Sequence, residues 1–270
     1  MLPDYHLHSK FSSDSTEEPE NVIKKSIELG MKSICFTDHM DYGYPVRKEE
    51  PDLTFCLDIK EYTKKLSALK KKYNSKIDVL IGIELGIMPN IADKNREIIS
   101  SYPFDYVIAS THQIEGKDPY FKEFWEGRDI NKILIQYFEE MLACVEEFDD
   151  YDCLGHMDYI ARYIPDKSYI FNPENYKTII DTILKTIIKK GKGIEINTAG
   201  YRYNMGRTNP GTDILMRYKN LGGKIITIGS DAHKAADVGT AFDKVSSILG
   251  KCGFTAYYTY KNRKPIVHKS

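Results

Sequence analysis

Residues 77–86 read IDVLIGIELG. The almost unbroken apolar run at 77–83 predicts a strand buried on both faces, as strands of parallel sheets are. Glu84 stands at its end. Similar runs occur at 3–7, 32–37 (KSICFT), 104–110 (FDYVIAS), 151–155, 193–197 (GIEIN) and 224–229 (KIITIG). Helical patterns fall at 19–29, 58–73, 130–148, 173–190, 211–221 and 238–250. The first opens on Pro19 and stops before Gly30, the usual asymmetry of helix ends. Seven strands alternating with helices predict an α/β chain, a single distorted (β/α)7 barrel over residues 1–270. An open doubly wound sheet is the alternative. No Gly/Ser linker or low-complexity tract divides the chain. Two long loops, 41–57 and 112–129, read as lids or binding segments.

Composition narrows the function. Among 270 residues, 38 Lys and Arg stand against 39 Asp and Glu, a net charge of −1. No global cationic field exists to hold nucleic acid or an anionic membrane. No apolar run approaches the roughly 20 residues that span a bilayer, and the start, MLPDYH, lacks the basic and hydrophobic segments of a signal peptide. Five cysteines, an odd number with no C-x-x-C pair, suit reduced thiols in a cytoplasmic protein. Cys35 and Cys153 read as small core residues. Dinucleotide-binding, P-loop and serine-hydrolase patterns are absent.

The histidines carry the signal. Six of seven lie at strand ends: His6 and His8, His39, His112, His156 and His233. His268 reads as a solvated tail residue. Asp38, Glu84, Glu195 and Asp231 accompany the six. One histidine after a strand is ordinarily a loop residue, but six along one edge would converge on the C-terminal face where barrel active sites form. His6 and His8, two apart on a strand, leave the same face. Imidazoles with carboxylates, and no cysteine, suit borderline divalent metals.

So many ligands exceed the needs of one ion, which implies a bi- or trinuclear centre. Paired ions acidify a shared water and polarise a phosphoryl or carbonyl oxygen. A phosphomonoester also needs donors for its outer oxygens, and arginine's planar fork fits them. Arg162 and Arg202 are preferred for this role over Arg207. Asp231 or His233 would protonate the leaving alkoxide.

DYHLH (4–8), FTDH (36–39), IGIELG (81–86), STHQ (110–113), LGHMD (154–158), EINTAG (195–200) and GSDAH (229–233) together resemble the polymerase and histidinol phosphatase (PHP) metal-dependent phosphoesterases. NTAGYR (197–202) and GSDAHKAADVG (229–239) look like the branch that acts on histidinol phosphate. The resemblance implies a distorted (β/α)7 barrel with up to three ions of zinc, manganese or iron. His6, His8, Glu84 and Asp231 would hold one ion, and Glu84, His112 and His156 a second. His39 and His233 would hold the third, with Asp14 where relatives usually carry histidine. Glu195 and Asn197 match a family motif without being needed as ligands. The implied reaction converts L-histidinol phosphate, a small phosphomonoester, to L-histidinol in histidine biosynthesis, through a hydroxide shared by the ions. Glu115, Asp118 or Glu123 would meet the substrate ammonium. The rival readings are a phosphoesterase acting on nucleotides or nucleic acid ends, and a non-catalytic PHP module.

Overall fold

The computed structural model describes residues 1–45 and 54–270. Part of the expected 41–57 loop, residues 46–53, lies outside the described residues. Strand β1 (Asp4–Leu7) leads through helix α1 (Pro19–Glu28) to β2 (Ser33–Phe36) and the short β3 (His39–Met40). Helix α2 (Ile59–Tyr73), β4 (Asp78–Ile81) and β5 (Ile83–Gly86) follow, then α3 (Ala92–Ser101), β6 (Val107–Ser110), α4 (Ile130–Glu147) and β7 (Cys153–Leu154). The chain continues through α5 (Lys177–Lys189), β8 (Gly193–Asn197), the single turn α6 (Ala199–Arg202), α7 (Thr212–Asn220), β9 (Ile226–Gly229) and α8 (Val245–Lys251). It ends in a hairpin of β10 (Ala256–Lys261) and β11 (Lys264–Lys269).

Local chemistry sets the boundaries. Pro19 opens α1, and Gly30 beyond its end adopts a left-handed φ of 75°. The Asp58 carboxylate accepts the Lys60 and Glu61 N–H groups at the start of α2, and Asp129 accepts the Lys132 N–H at the start of α4. In α4, Ile133, Leu134, Tyr137, Phe138 and Met141 recur at helical spacing and are all buried.

The fold is α/β with mostly parallel pairing. One sheet runs β1-β2-β4 and a second runs β3-β5-β6-β7-β8-β9, all parallel. The anticipated strand at 77–83 is two strands, broken at Gly82. There the chain passes so close to its neighbours that a Cβ would lie 2.7 Å from the Tyr106 carbonyl oxygen and 2.8 Å from Cys35 Sγ. The first half pairs with β2, and the second swings over to lie between β3 and β6. Across the remaining gap, the His8 N–H donates to the Ala232 carbonyl and the Asp231 N–H to the His6 carbonyl, both at 2.9 Å.

Three further differences from expectation have local causes. The helix anticipated at 238–250 begins only at Val245, because Gly239 and Ala241 take left-handed φ values of 67° and 59°. Helix α3 and the C-terminal hairpin were not anticipated. His268 therefore belongs to β11 rather than to a tail: its ring shares a 2.7 Å hydrogen bond with Thr259 Oγ1 and stacks on Tyr257. Cys35 and Cys153 are wholly buried, packed with Tyr5, Leu80, Tyr106, Ile108 and the hairpin's Tyr260.

Candidate metal centre

Glu84 is the hub. Parallel pairing of β3 with β5 sets His39 opposite Glu84, with His39 Nδ1 3.0 Å from Oε2. His6 Nε2, on β1, and His8 Nε2, just beyond it, lie 3.2 and 3.4 Å from the same oxygen. His112 Nε2 and His156 Nε2, beyond β6 and β7, approach Oε1 to 3.3 and 3.0 Å. Ser110 Oγ donates to Oε1 at 2.6 Å. The carboxylate thus faces five imidazoles and is itself wholly buried.

Asp231 follows β9 with a left-handed φ of 54°, uncommon outside glycine. Its Oδ1 lies 3.4 Å from His8 Nε2, 3.8 Å from His6 Nε2 and 3.6 Å from His233 Nδ1. The His8 ring lies beside those of both His39 and His233, with centroids 4.3 and 4.0 Å away, and those two are 5.8 Å from each other. Asp14 sits on the rim, half-exposed, its Oδ2 3.1 Å from His233 Nε2 and 3.7 Å from His39 Nε2. All nine residues singled out as ligands therefore gather at one place.

Outer hydrogen bonds orient the rings. The Nδ1–H of His6 donates to Glu195 Oε1 at 2.7 Å, and that of His112 to Asp41 Oδ2 at 2.7 Å. His8 Nδ1 bonds Ser12 Oγ at 2.9 Å, and Ser12 donates onward to Asp38. His233 Nδ1 donates to the Asp231 carbonyl at 3.0 Å. Each bond turns Nε2 inward and fixes the tautomer, as partners of metal-binding histidines do. Glu195 and Asp38 thus act behind the rings. Asn197 holds both Glu195 Oε2 and Asp231 Oδ2, at 3.1 and 3.3 Å. Sequence reasoning missed Ser12 and Asp41. The only trace of Asp41 in the sequence is its place two residues after His39.

The electrostatics test whether cations fit. Burial opposes charge on Glu84, yet the imidazoles of His6, His112 and His39 outweigh it and hold the carboxyl well below its usual range. Burial likewise opposes charge on His6 and His39, but Glu195 and Glu84 raise the first, and Glu84 and Asp14 the second. His8 goes the other way: burial, with His233 and His39 beside it, pushes it well below the usual imidazole value. His6 Nε2, His8 Nε2, His39 Nδ1, His233 Nε2 and Glu84 Oε2 are buried and make no hydrogen bond. Lone pairs confronting one another repel, and protonating every ring would bury uncompensated charge. Divalent cations resolve both problems. Four sets of donor atoms lie within 4.8 Å of one another: His8, His39 and His233; His6, His8 and Asp231; His6, Glu84 and His156; and His39, Asp41 and His112. The residues fit a multinuclear centre.

The cluster opens into a cavity of about 410 Å³. Arg162 lines it from a 3-10 turn (Tyr159–Tyr163), its guanidinium packed on Tyr203 at 4.1 Å and Tyr159 at 5.1 Å. Nη2 lies 3.6 Å from Asp231 Oδ2, and both Nε and Nη2 make no hydrogen bond. Arg202 and Arg207 do not line the cavity, which corrects the expectation for them. Arg202 donates to the Ser230 and Asp231 carbonyls at 2.6 Å and so braces the backbone under Asp231. Arg207 pairs with buried Asp158. Among the three acidic loop residues, Asp118 lines the cavity, whereas Glu115 pairs with Arg128 and Glu123 sits exposed on an outer turn.

Comparison with known proteins agrees with this chemistry. The family model for the PHP domain matches residues 4–199. The chain is 35% identical to a histidinol-phosphatase of Lactococcus lactis subsp. lactis, over 97% of this chain and 95% of that protein. It is also 35% identical to a probable histidinol-phosphatase of Clostridium acetobutylicum, over 97% and 98%. The crystal structure of the Lactococcus lactis histidinol phosphate phosphatase, complexed with zinc, L-histidinol and phosphate, superposes with a TM-score of 0.90. It has 33% identity and covers 98% of this chain and 100% of that one. With the matched family model covering most of its length and full-length relatives at this identity, the chain belongs to the PHP domain family.

Proposed function

We propose that the protein is a phosphomonoesterase that hydrolyses L-histidinol phosphate to L-histidinol and inorganic phosphate. The observation that carries this reading is the buried Glu84 carboxylate faced by five imidazoles, beside a cavity with an arginine on its wall. The near-full-length similarity to a phosphatase solved with L-histidinol and phosphate supports the substrate. We read residues 1–270 as one distorted (β/α)7 barrel. Treating β2 with β3, and β4 with β5, as two broken strands leaves seven, and the bonds from His8 and Asp231 join the last to the first. We take the reaction to be cytoplasmic, in keeping with five free thiols.

His6, His8, Glu84 and Asp231 would hold one ion, Glu84, His112 and His156 a second, and His39, His233 and Asp14 a third. Bound divalent ions supply Lewis acidity, which neutralises phosphoryl oxygens and makes a water nucleophilic near neutral pH. The remaining work falls to the chain. Arg162, its side chain buried and packed against Tyr159 and Tyr203, presents unpaired N–H groups to the anion without having to shed water at the moment of reaction. Asn197 and Arg202 keep Asp231 in place from below. Asp231 and His233 are the groups proposed to handle the leaving group's proton. A nitrogen that binds a cation carries no proton, so His233 serves this role only while its Nε2 is unligated.

Steady-state kinetics on L-histidinol phosphate and on phenyl phosphate test the substrate, with the first expected to be strongly preferred. His8→Ala and Asp231→Ala should each lower kcat at least about a thousandfold with the fold retained by circular dichroism, since each removes a donor from the activating cluster. Wild-type turnover in either variant contradicts the site, and salt-sensitive DNA binding would favour a nucleic acid substrate.

A further inference from the structure

The cavity wall carries charge of both signs besides the metal cluster. Setting aside the side chains tied to the metal cluster, its described lining holds two charged groups, Arg162 and Asp118. Asp118 is buried, 8% exposed, and its two oxygens are already aimed: Oδ2 accepts the Tyr44 hydroxyl and Oδ1 the Tyr120 N–H, both at 2.7 Å. The loop that carries it is stiffened by paired backbone bonds between Ile114 and Lys117 and by Trp125 Nε1 donating to the Pro119 carbonyl. Each Asp118 oxygen keeps a lone pair for a further donor. Phe55, Phe121 and Tyr163 add aromatic wall to the same space.

The substrate proposed above has the matching polarity, an anion at one end and an ammonium on the next carbon of its chain. We propose that Asp118 is the specificity-determining residue that receives this ammonium, with the rings around it enclosing the substrate's planar heterocycle. The inference rests on the reaction assigned above. A buried carboxylate already held by two donors meets the ammonium without reorganising, and an analogue lacking the amine leaves it unpaired, the arrangement that gives strong discrimination. Glu115 and Glu123 cannot substitute, since neither reaches the cavity.

The test uses metal-loaded enzyme and two substrates, L-histidinol phosphate and its deamino analogue, 3-(imidazol-4-yl)propyl phosphate. The wild type is expected to favour the first in kcat/KM by at least about tenfold, and Asp118→Asn to shrink that ratio about 10- to 100-fold, chiefly through KM. Metal content and circular dichroism should match the wild type. Asp118→Glu should restore part of the ratio, which a purely structural role would not give. If the wild type handles phenyl phosphate as well as L-histidinol phosphate, the assigned reaction fails. If the wild type prefers L-histidinol phosphate and Asp118→Asn keeps the full ratio, the role of Asp118 alone is overturned. Should Asp118→Asn not fold, Tyr44→Phe keeps the carboxylate while removing one of its donors. It should lower the same ratio at least about threefold, and an unchanged ratio refutes the proposal.

Discussion

Asp41 shows how much of this centre lies behind its visible ligands. Its carboxylate takes the His112 Nδ1–H at 2.7 Å and makes the ring a better donor at Nε2. Room for it comes from Gly86, where a Cβ would lie 2.6 Å from Asp41 Cγ. Asp41→Asn keeps a hydrogen-bond acceptor but loses the charge, and should weaken the affinity of the His112 ion about 10- to 100-fold in a chelator-competition titration. Gly86→Ala should act the same way through the displaced carboxylate. Unaltered affinity in both would reduce Asp41 to a space-filler. The ligands themselves were legible because each sits at a strand end, a position that sequence periodicity marks. Asp41 and Ser12 were not, because a partner behind a ring is defined only by proximity in space. Arg202 and Arg207 misled for the same reason: position along the chain placed them near the cavity, but hydrogen bonds to Ser230, Asp231 and Asp158 draw them away from it.

Among the elements, the broken strand at Gly82 determines where Glu84 goes. An unbroken strand would stay beside β2, whereas the break lets β5 enter the second sheet beside His39 and close to His112. Gly82→Ala forces a methyl against backbone oxygens of Tyr106 and Phe36, 2.7 and 3.0 Å from its ideal position. It should cost about 1–3 kcal/mol in urea unfolding, the range for overpacking a close-packed site, and a wild-type midpoint would mean that the strands part readily. The run IDVLIGI gave no hint of the break, since glycine in an apolar run also reads as plain strand. Helix α3 escaped notice for a different reason. Its sequence, ADKNREIISS, mixes poor helix formers with few apolar positions and lacks a side-chain N-cap bond. The hairpin turns at Asn262-Arg263, both with left-handed φ, without the Asn-Gly or Asp-Gly pair that ordinarily announces such a turn.

For the molecule as a whole, the centre is also a store of stability and its pH response depends on occupancy. An ion that binds only the folded chain at a concentration 100 times its Kd adds about 2.7 kcal/mol. Chelation should therefore lower Tm by about 5–10 °C per ion lost. Without ions, His112 is raised to about 10, burial being outweighed by Asp41 and Glu84, and His6, His39 and His233 are raised as well. A raised imidazole stabilises the fold below its ordinary value near 6.5, and that contribution is lost as pH climbs through the folded value. The chelated protein should thus weaken between pH 6 and 9, whereas His8, held below its ordinary value, adds stability only as pH climbs to about 6.5. The loaded protein should strengthen over that range, because protons compete with cations for the same nitrogens. Thermal melts of both forms across pH check this, and parallel profiles would refute it. The choice between a ring and an open sheet was the global feature that the sequence left unresolved, because it depends on a few bonds between β1 and the turn after β9.

Those few bonds carry a temporal consequence. Asp4 is held by Ser230, 226 positions later, and the turn of the terminal hairpin fastens onto Asp105 and Asp152. During ribosomal synthesis, the first strand emerges long before its neighbour on that side exists. The imidazoles of His6 on that strand and of His8 just beyond it stay open to the surroundings until nearly the entire polypeptide is made. Cation capture is then a late event in the biogenesis of this enzyme, and a prematurely terminated chain lacking Asp231 and His233 would be released unable to complete its own cage.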